Sequence, residues 1–304
     1  MCCFSPVLLP LTPLALPFWL LARLLPISPL RVSGTRIFAR GLGAEQALVY
    51  SMTLSTRGEV AMILPVPVVP GLGEGALTFV DLEGYPSFFD DLGRAFPPPL
   101  APLPRSKSMA LSLPPLPRLR VHSVGAYEAS FVPTIADFDR LDPRFRLPTE
   151  VWASLPLYAD YGFAVFRLKK GARKRIHPMA FRFRTRAPGR LFFPTVHVHD
   201  GEVHPTADFD HELFCQPATS WVSSELSEFE PQTGPWSEES VELASGRWWK
   251  SSGGAGFYVD KEKAQGLVDL KTHLLRRFFR GKLANEDLWV DLAPPAPGSP
   301  GVAV

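Results

Sequence analysis

Cysteine is scarce in this chain, and so is net charge. The 304 residues include three cysteines, Cys2, Cys3 and Cys215. So small and odd a number cannot build a disulfide framework, so the thiols are expected to be reduced or to bind a metal, which points to the cytoplasm. Lys plus Arg number 32 against 30 Asp plus Glu. No global field concentrates nucleic acid or anionic lipid, and neither is expected as a partner. Residues 167–190 hold ten Arg and Lys, but Arg182, Arg184 and Arg186 alternate along one strand and read as a solvated face over a Phe-rich core rather than a nucleic-acid groove. No fixed period repeats, which excludes solenoids and propellers. The glycines of Gly71-Leu-Gly-Glu-Gly75 lack a following helix with Lys-Ser/Thr and so form a turn, not a phosphate loop. Asp137, Asp139 and Asp142 lack the Gly and terminal Glu of a calcium loop.

A clean apolar span is also missing. Residues 4–22 are apolar but interrupted by Pro6, Pro10, Pro13 and Pro17, and each interior proline costs a helix about 3 kcal/mol. The first basic residue, Arg23, follows the run, where a signal peptide needs positive charge ahead of it. No membrane partner is therefore expected; the alternative is that residues 4–22 anchor or export the chain.

Proline and phenylalanine are what the chain has in excess, 33 and 22 residues. The first implies long irregular connections, the second a core built on rings. Short β-prone runs at 36–39, 47–54, 60–69 and 76–81 are separated by Gly-containing turns, and Phe88, Phe89, Leu92 and Phe96 fall at helical spacing. Residues 97–117, with eight prolines, read as a connector. Beyond it β-prone runs recur through residue 216 with two short helices at 134–142 and 150–155. Leu267, Leu270, Leu274 and Phe278 then form a helical stripe, which predicts a long C-terminal helix over 261–282. The expected fold class is α+β: a largely antiparallel sheet in two halves, a few short helices and one long C-terminal helix. The segments are an irregular apolar and proline-rich stretch at 1–35, a β-rich half at 36–96, the connector at 97–117, an α+β half at 118–293 and a disordered tail at 294–304.

The sharpest local motif is Thr195-Val-His-Val-His-Asp-Gly-Glu-Val-His204. Asp200-Gly201 between β-prone runs signals a two-residue hairpin, which would pair His197 with His204 and His199 with Glu202. Alternation then sets His197, His199, Glu202 and His204 on one face. Three imidazoles and a carboxylate form a donor set for a divalent metal such as zinc, with Glu202 as a further ligand or as a catalytic base on metal-bound water. The His-x-His with Glu resembles the ligand spacing on cupin hairpins, with a shorter gap. His211 and Cys215, four apart, share a face and are weaker candidate ligands. The competing reading is a polar strand face with no metal, in a non-catalytic binding or structural module. A third is an N-terminal cysteine hydrolase in which removal of Met1 exposes Cys2 as nucleophile, resembling amidohydrolases of the N-terminal-nucleophile class. Cys2 and Cys3 are also possible metal donors.

Ala47-Leu-Val-Tyr-Ser-Met52, Ala61-Met-Ile-Leu-Pro-Val-Pro67, Phe88-Phe-Asp-Asp-Leu92, His177-Pro-Met-Ala-Phe-Arg-Phe183 and Phe192-Phe-Pro-Thr-Val-His197 occur in an order that resembles a mainly bacterial family of uncharacterised hypothetical proteins. More distantly, the Pro-Val-Pro strand is similar to a broad domain-of-unknown-function family. The resemblance covers most of residues 36–216 and implies no activity. It does imply that residues 6–31 are an insertion behind Met-Cys-Cys-Phe-Ser, and that the cysteine pair belongs to the domain.

Overall fold

Ala47, Leu48, Val49 and Tyr50 are all buried. An unbroken apolar run of this length is the pattern of a strand covered on both faces, since a half-exposed strand alternates. That strand lies in the larger of two main sheets. In the computed structural model, the described residues are 2–6, 31–55, 60–96, 122–141, 149–168, 177–198, 203–216, 240–243 and 245–291.

The strands are β1 (Cys2–Pro6), β2 (Arg31–Leu42), β3 (Glu45–Ser55), β4 (Val60–Val66), β5 (Leu77–Val80), β6 (His122–Val124), β7 (Tyr127–Val132), β8 (Gly162–Leu168), β9 (Met179–Arg184), β10 (Arg190–Phe193), β11 (His197–Val198), β12 (Thr206–Gln216), β13 (Ser240–Leu243), β14 (Gly246–Gly254), β15 (His273–Ala284) and β16 (Leu288–Asp291). Among the described residues the α-helices are α1 (Phe88–Arg94) and α2 (Thr149–Ala153). One sheet has eight strands in the order β13-β14-β15-β12-β2-β3-β9-β5; the second has six, β11-β1-β4-β8-β7-β6; β10 and β16 form a separate ribbon. Pairing is antiparallel except between β2 and β12 and between β1 and β11. Strands from before and after residues 97–117 share both main sheets and pair directly, β4 with β8 and β3 with β9.

Three apolar layers follow from this stacking. Between the sheets, Ile37, Leu48, Tyr50, Phe181 and Leu213 meet Met62, Leu64, Phe131 and Phe166. The outer face of the six-stranded sheet is covered by Phe138, Trp152 and Tyr158. The outer face of the eight-stranded sheet, with Phe38, Val49 and Phe214, is covered by Phe88, Phe89 and Leu92 of α1 and by Ala264, Leu267 and Val268. Burial on both faces explains why so many strands lack polar alternation.

The fold is therefore mainly β, not α+β, and the long helix over 261–282 does not form. Gln265 and Gly266 take φ of 49° and 70°, a left-handed backbone that a helix cannot pass through. From His273 the chain is extended and pairs with β12 along ten positions, from Cys215↔Leu275 to Thr206↔Ala284. The helical stripe was a coincidence of two elements. Leu267 lies in the turns before the strand and Leu274 in the strand itself, and both pack into the same outer core. Alternation in β15 then puts Leu275 on the opposite, inter-sheet face.

Among the described residues no helix is long and apolar enough to cross a membrane. Of the apolar N-terminal stretch, residues 7–30 lie outside the described residues.

Candidate functional site

The edge strand β11 is held against the eight-stranded sheet by side chains from the turn after β15. Asp287 Oδ1 accepts from the N–H groups of Thr195 and Val196 at 2.8 and 3.1 Å, while its Oδ2 accepts from Tyr158 Oη at 2.5 Å. Thr195 Oγ1 donates to Glu286 O at 2.7 Å and accepts from Leu288 N at 3.0 Å. Asn285 Oδ1 accepts from His197 N at 2.7 Å, and its Nδ2 donates to the carbonyls of His197 and His204, each at 2.9 Å. Val198 is buried in the outer core, so alternation turns His197 inward, toward β12.

Across the gap stands His211, fully buried on β12. The two Nε2 atoms face each other at 3.4 Å and the ring centroids are 5.0 Å apart. Phe209 packs on both rings and is itself backed by Phe279. Burial lowers the His211 pKa below the ordinary value, and the neighbouring Asp210 opposes that shift without reversing it. Asp210 Oδ1 lies 3.7 Å from His211 Nδ1. Burial raises the Asp210 carboxyl, but the His211 interaction and the Gly34 N–H outweigh it and hold it below the ordinary carboxylate range.

The backbone of β1 runs parallel to β11, with Cys2 in register with His197 and Cys3 with Val198. On its other side β1 pairs antiparallel with β4, Phe4 opposite Met62 and Cys3 opposite Ile63. Met62 belongs to the inter-sheet core and Ile63 to the outer one. Cys2 and His197 are thus neighbours in backbone register across β1 and β11.

The residues singled out in the sequence separate in space. His197 and His211 come together. His204 is exposed, and Asn285 joins its backbone carbonyl to that of His197. His199 and Glu202, with the Asp200-Gly201 turn, lie outside the described residues. Cys215 shares a strand face with His211 but is four residues away, about 13 Å along the strand. It is buried in the inter-sheet core, and burial pushes its thiol pKa up, leaving an inert apolar side chain. Among the described residues no group of three or more His, Cys, Asp or Glu is placed to hold a metal. Asp210, Asn285 and Asp287 escaped the sequence reading. The cue for Asp210 was its position next to His211; the other two carry no local motif.

The chain is thus a mainly β protein of two stacked sheets with an imidazole pair between them. Its sequence matches no protein-family model and no curated protein. Among solved structures, baculovirus P35 aligns with a TM-score of 0.41 at 11% identity, covering 88% of this chain and 98% of that one. P35 in the caspase-8/P35 complex aligns with a TM-score of 0.39 at 13% identity, covering 85% and 96%. The likeness is too weak to carry any function across.

Proposed function

We propose that the chain binds a divalent transition metal, zinc or a metal of similar preference, between its two sheets, with His197 and His211 as imidazole ligands and Cys2 as a third donor. The observation that carries this reading is the 3.4 Å separation of the two Nε2 atoms. Two nitrogens bound to one tetrahedral zinc at about 2.0–2.1 Å lie about 3.4 Å apart. An ordinary N–H hydrogen bond is shorter, about 2.7–3.2 Å. The register of Cys2 with His197 supports the third donor. A mixed nitrogen and sulfur set suits zinc or copper over magnesium or calcium. Bound there, the metal supplies Lewis acidity and joins the edge strand β11 to β12 of the opposite sheet.

The test is elemental analysis of protein purified without a His-tag, for wild type and His197→Ala/His211→Ala, followed by cobalt(II) titration of the metal-free protein. The expected results are stoichiometric metal in wild type, loss in the double variant, and a thiolate-to-cobalt charge-transfer band that disappears in Cys2→Ser. Absence of metal after reconstitution sinks the reading. Binding without the charge-transfer band removes Cys2 alone.

A further inference from the structure

We infer that Asp210 is the positioning residue of this centre: through the bulge in β2 it holds the His211 imidazole as the tautomer whose Nε2 lone pair faces His197. The inference rests on the metal reading for its consequence, though not for its geometry. His211 is fully buried, and its Nδ1 has no hydrogen-bond partner within range. A neutral imidazole carries one proton, and of the two ring nitrogens it is Nδ1 that has a carboxylate beside it, so the proton belongs on Nδ1 and the lone pair on Nε2. The group facing Nδ1 is the Asp210 carboxylate, Oδ1 at 3.7 Å.

That carboxylate is fixed from behind. The pairing of β2 with β3 shifts register between Ser33 and Arg36, and Gly34 within the shift has φ of 61°. Such a bulge turns a backbone N–H out of the ladder, and glycine adopts the left-handed conformation without a Cβ penalty. The freed Gly34 N–H donates to Asp210 Oδ2 at 2.5 Å. One oxygen is thus tied to the bulge and the other turned toward the imidazole. The order bulge amide, carboxylate, imidazole, metal is the support that orients a ligating histidine and raises its basicity.

The tautomer is read directly in metal-free wild type by nitrogen-15 correlation spectra of the imidazoles. The expected result is His211 protonated at Nδ1; protonation at Nε2 overturns the inference, and no variant has to fold for that answer. Zinc affinity is then measured by competition with a chromophoric chelator. Asp210→Asn is expected to bind roughly 10–100-fold more weakly and to mix the tautomers. Asp210→Glu, which keeps the charge, should recover part of the loss. Asp208→Asn, the same charge change on an exposed neighbour in β12, should bind as wild type. Equal affinity for wild type and Asp210→Asn, or an equal loss in Asp208→Asn, overturns the role of Asp210. If wild type binds no metal, the proposed function fails while the tautomer still decides what Asp210 does.

Discussion

Asn285 grips His197 with both ends of its amide, accepting from the His197 N–H at 2.7 Å and donating to the His197 carbonyl at 2.9 Å. A strand neighbour would make the same two bonds. The side chain therefore acts as a strand neighbour would along this side of β11, and it fixes the backbone from which the His197 ring projects.

Asn285→Ala leaves the His197 N–H and carbonyl without these partners. The expected cost is about 1–3 kcal/mol in urea unfolding, with weaker zinc binding as His197 loosens. Unchanged stability together with unchanged affinity would show that β11 is held by other means.

Gln46 makes a similar exchange deep in the core: its Nε2 donates to Phe192 O at 2.7 Å, and its Oε1 accepts from Phe192 N at 2.9 Å. It is 1% exposed, so water cannot replace it. Gln46→Ala is expected to destabilise by about 2–4 kcal/mol, because two buried backbone groups lose their partners. Chemical denaturation checks this, and Gln46→Met, similar in volume but without hydrogen bonds, should lose nearly as much.

Zinc at about 100-fold over its dissociation constant adds about 2.7 kcal/mol to stability when only the folded state binds. For a chain of this size that is a rise in Tm of about 4–8 °C. The rise should vanish in His197→Ala/His211→Ala and persist in Cys215→Ser, whose thiol lies in the apolar core. Differential scanning calorimetry with and without zinc is the measurement.

Tyr161 should govern part of the alkaline limit. Burial, and then the charge of Asp287, push its phenol up to about 12 from 10.0. A raised acid keeps its proton in the folded state after the unfolded chain has lost it. Its contribution to stability is therefore whole below about pH 10 and is lost as pH rises through about 12. Tyr161→Phe, which keeps the ring under the Arg186 guanidinium, should flatten the fall in stability over that window. A urea-midpoint series against pH checks the slope; equal slopes for the two proteins would refute the assignment.

Local pattern revealed the strands. Ala47 to Tyr50 and Met179 to Phe183 are β-prone and apolar, and tertiary burial agrees with that preference. Pattern misled at 261–282, where Leu267 and Leu274 point to one core from two different elements; the left-handed backbone at Gln265 and Gly266 that separates them leaves no mark on the apolar spacing. For the candidate site, alternation set His197 on the strand face opposite Val196 and Val198, without deciding which face looks inward. Its partner could not be read the same way, since His211 belongs to another sheet and no sequence spacing encodes a contact made by stacking.

By itself the sequence determined the composition of the layers: ring-rich strands, little net charge, thiols too few for a disulfide framework, and a histidine alternating with valine. Only the tertiary structure decided that His197 meets His211, that Asn285 holds the His197 backbone, that Asp210 lies beside the His211 ring, and that Cys215 is set apart. The reason is physical. Periodicity fixes which way a side chain points from its own strand, while the partner it meets depends on how two sheets stack, which is set by the summed packing of their apolar faces.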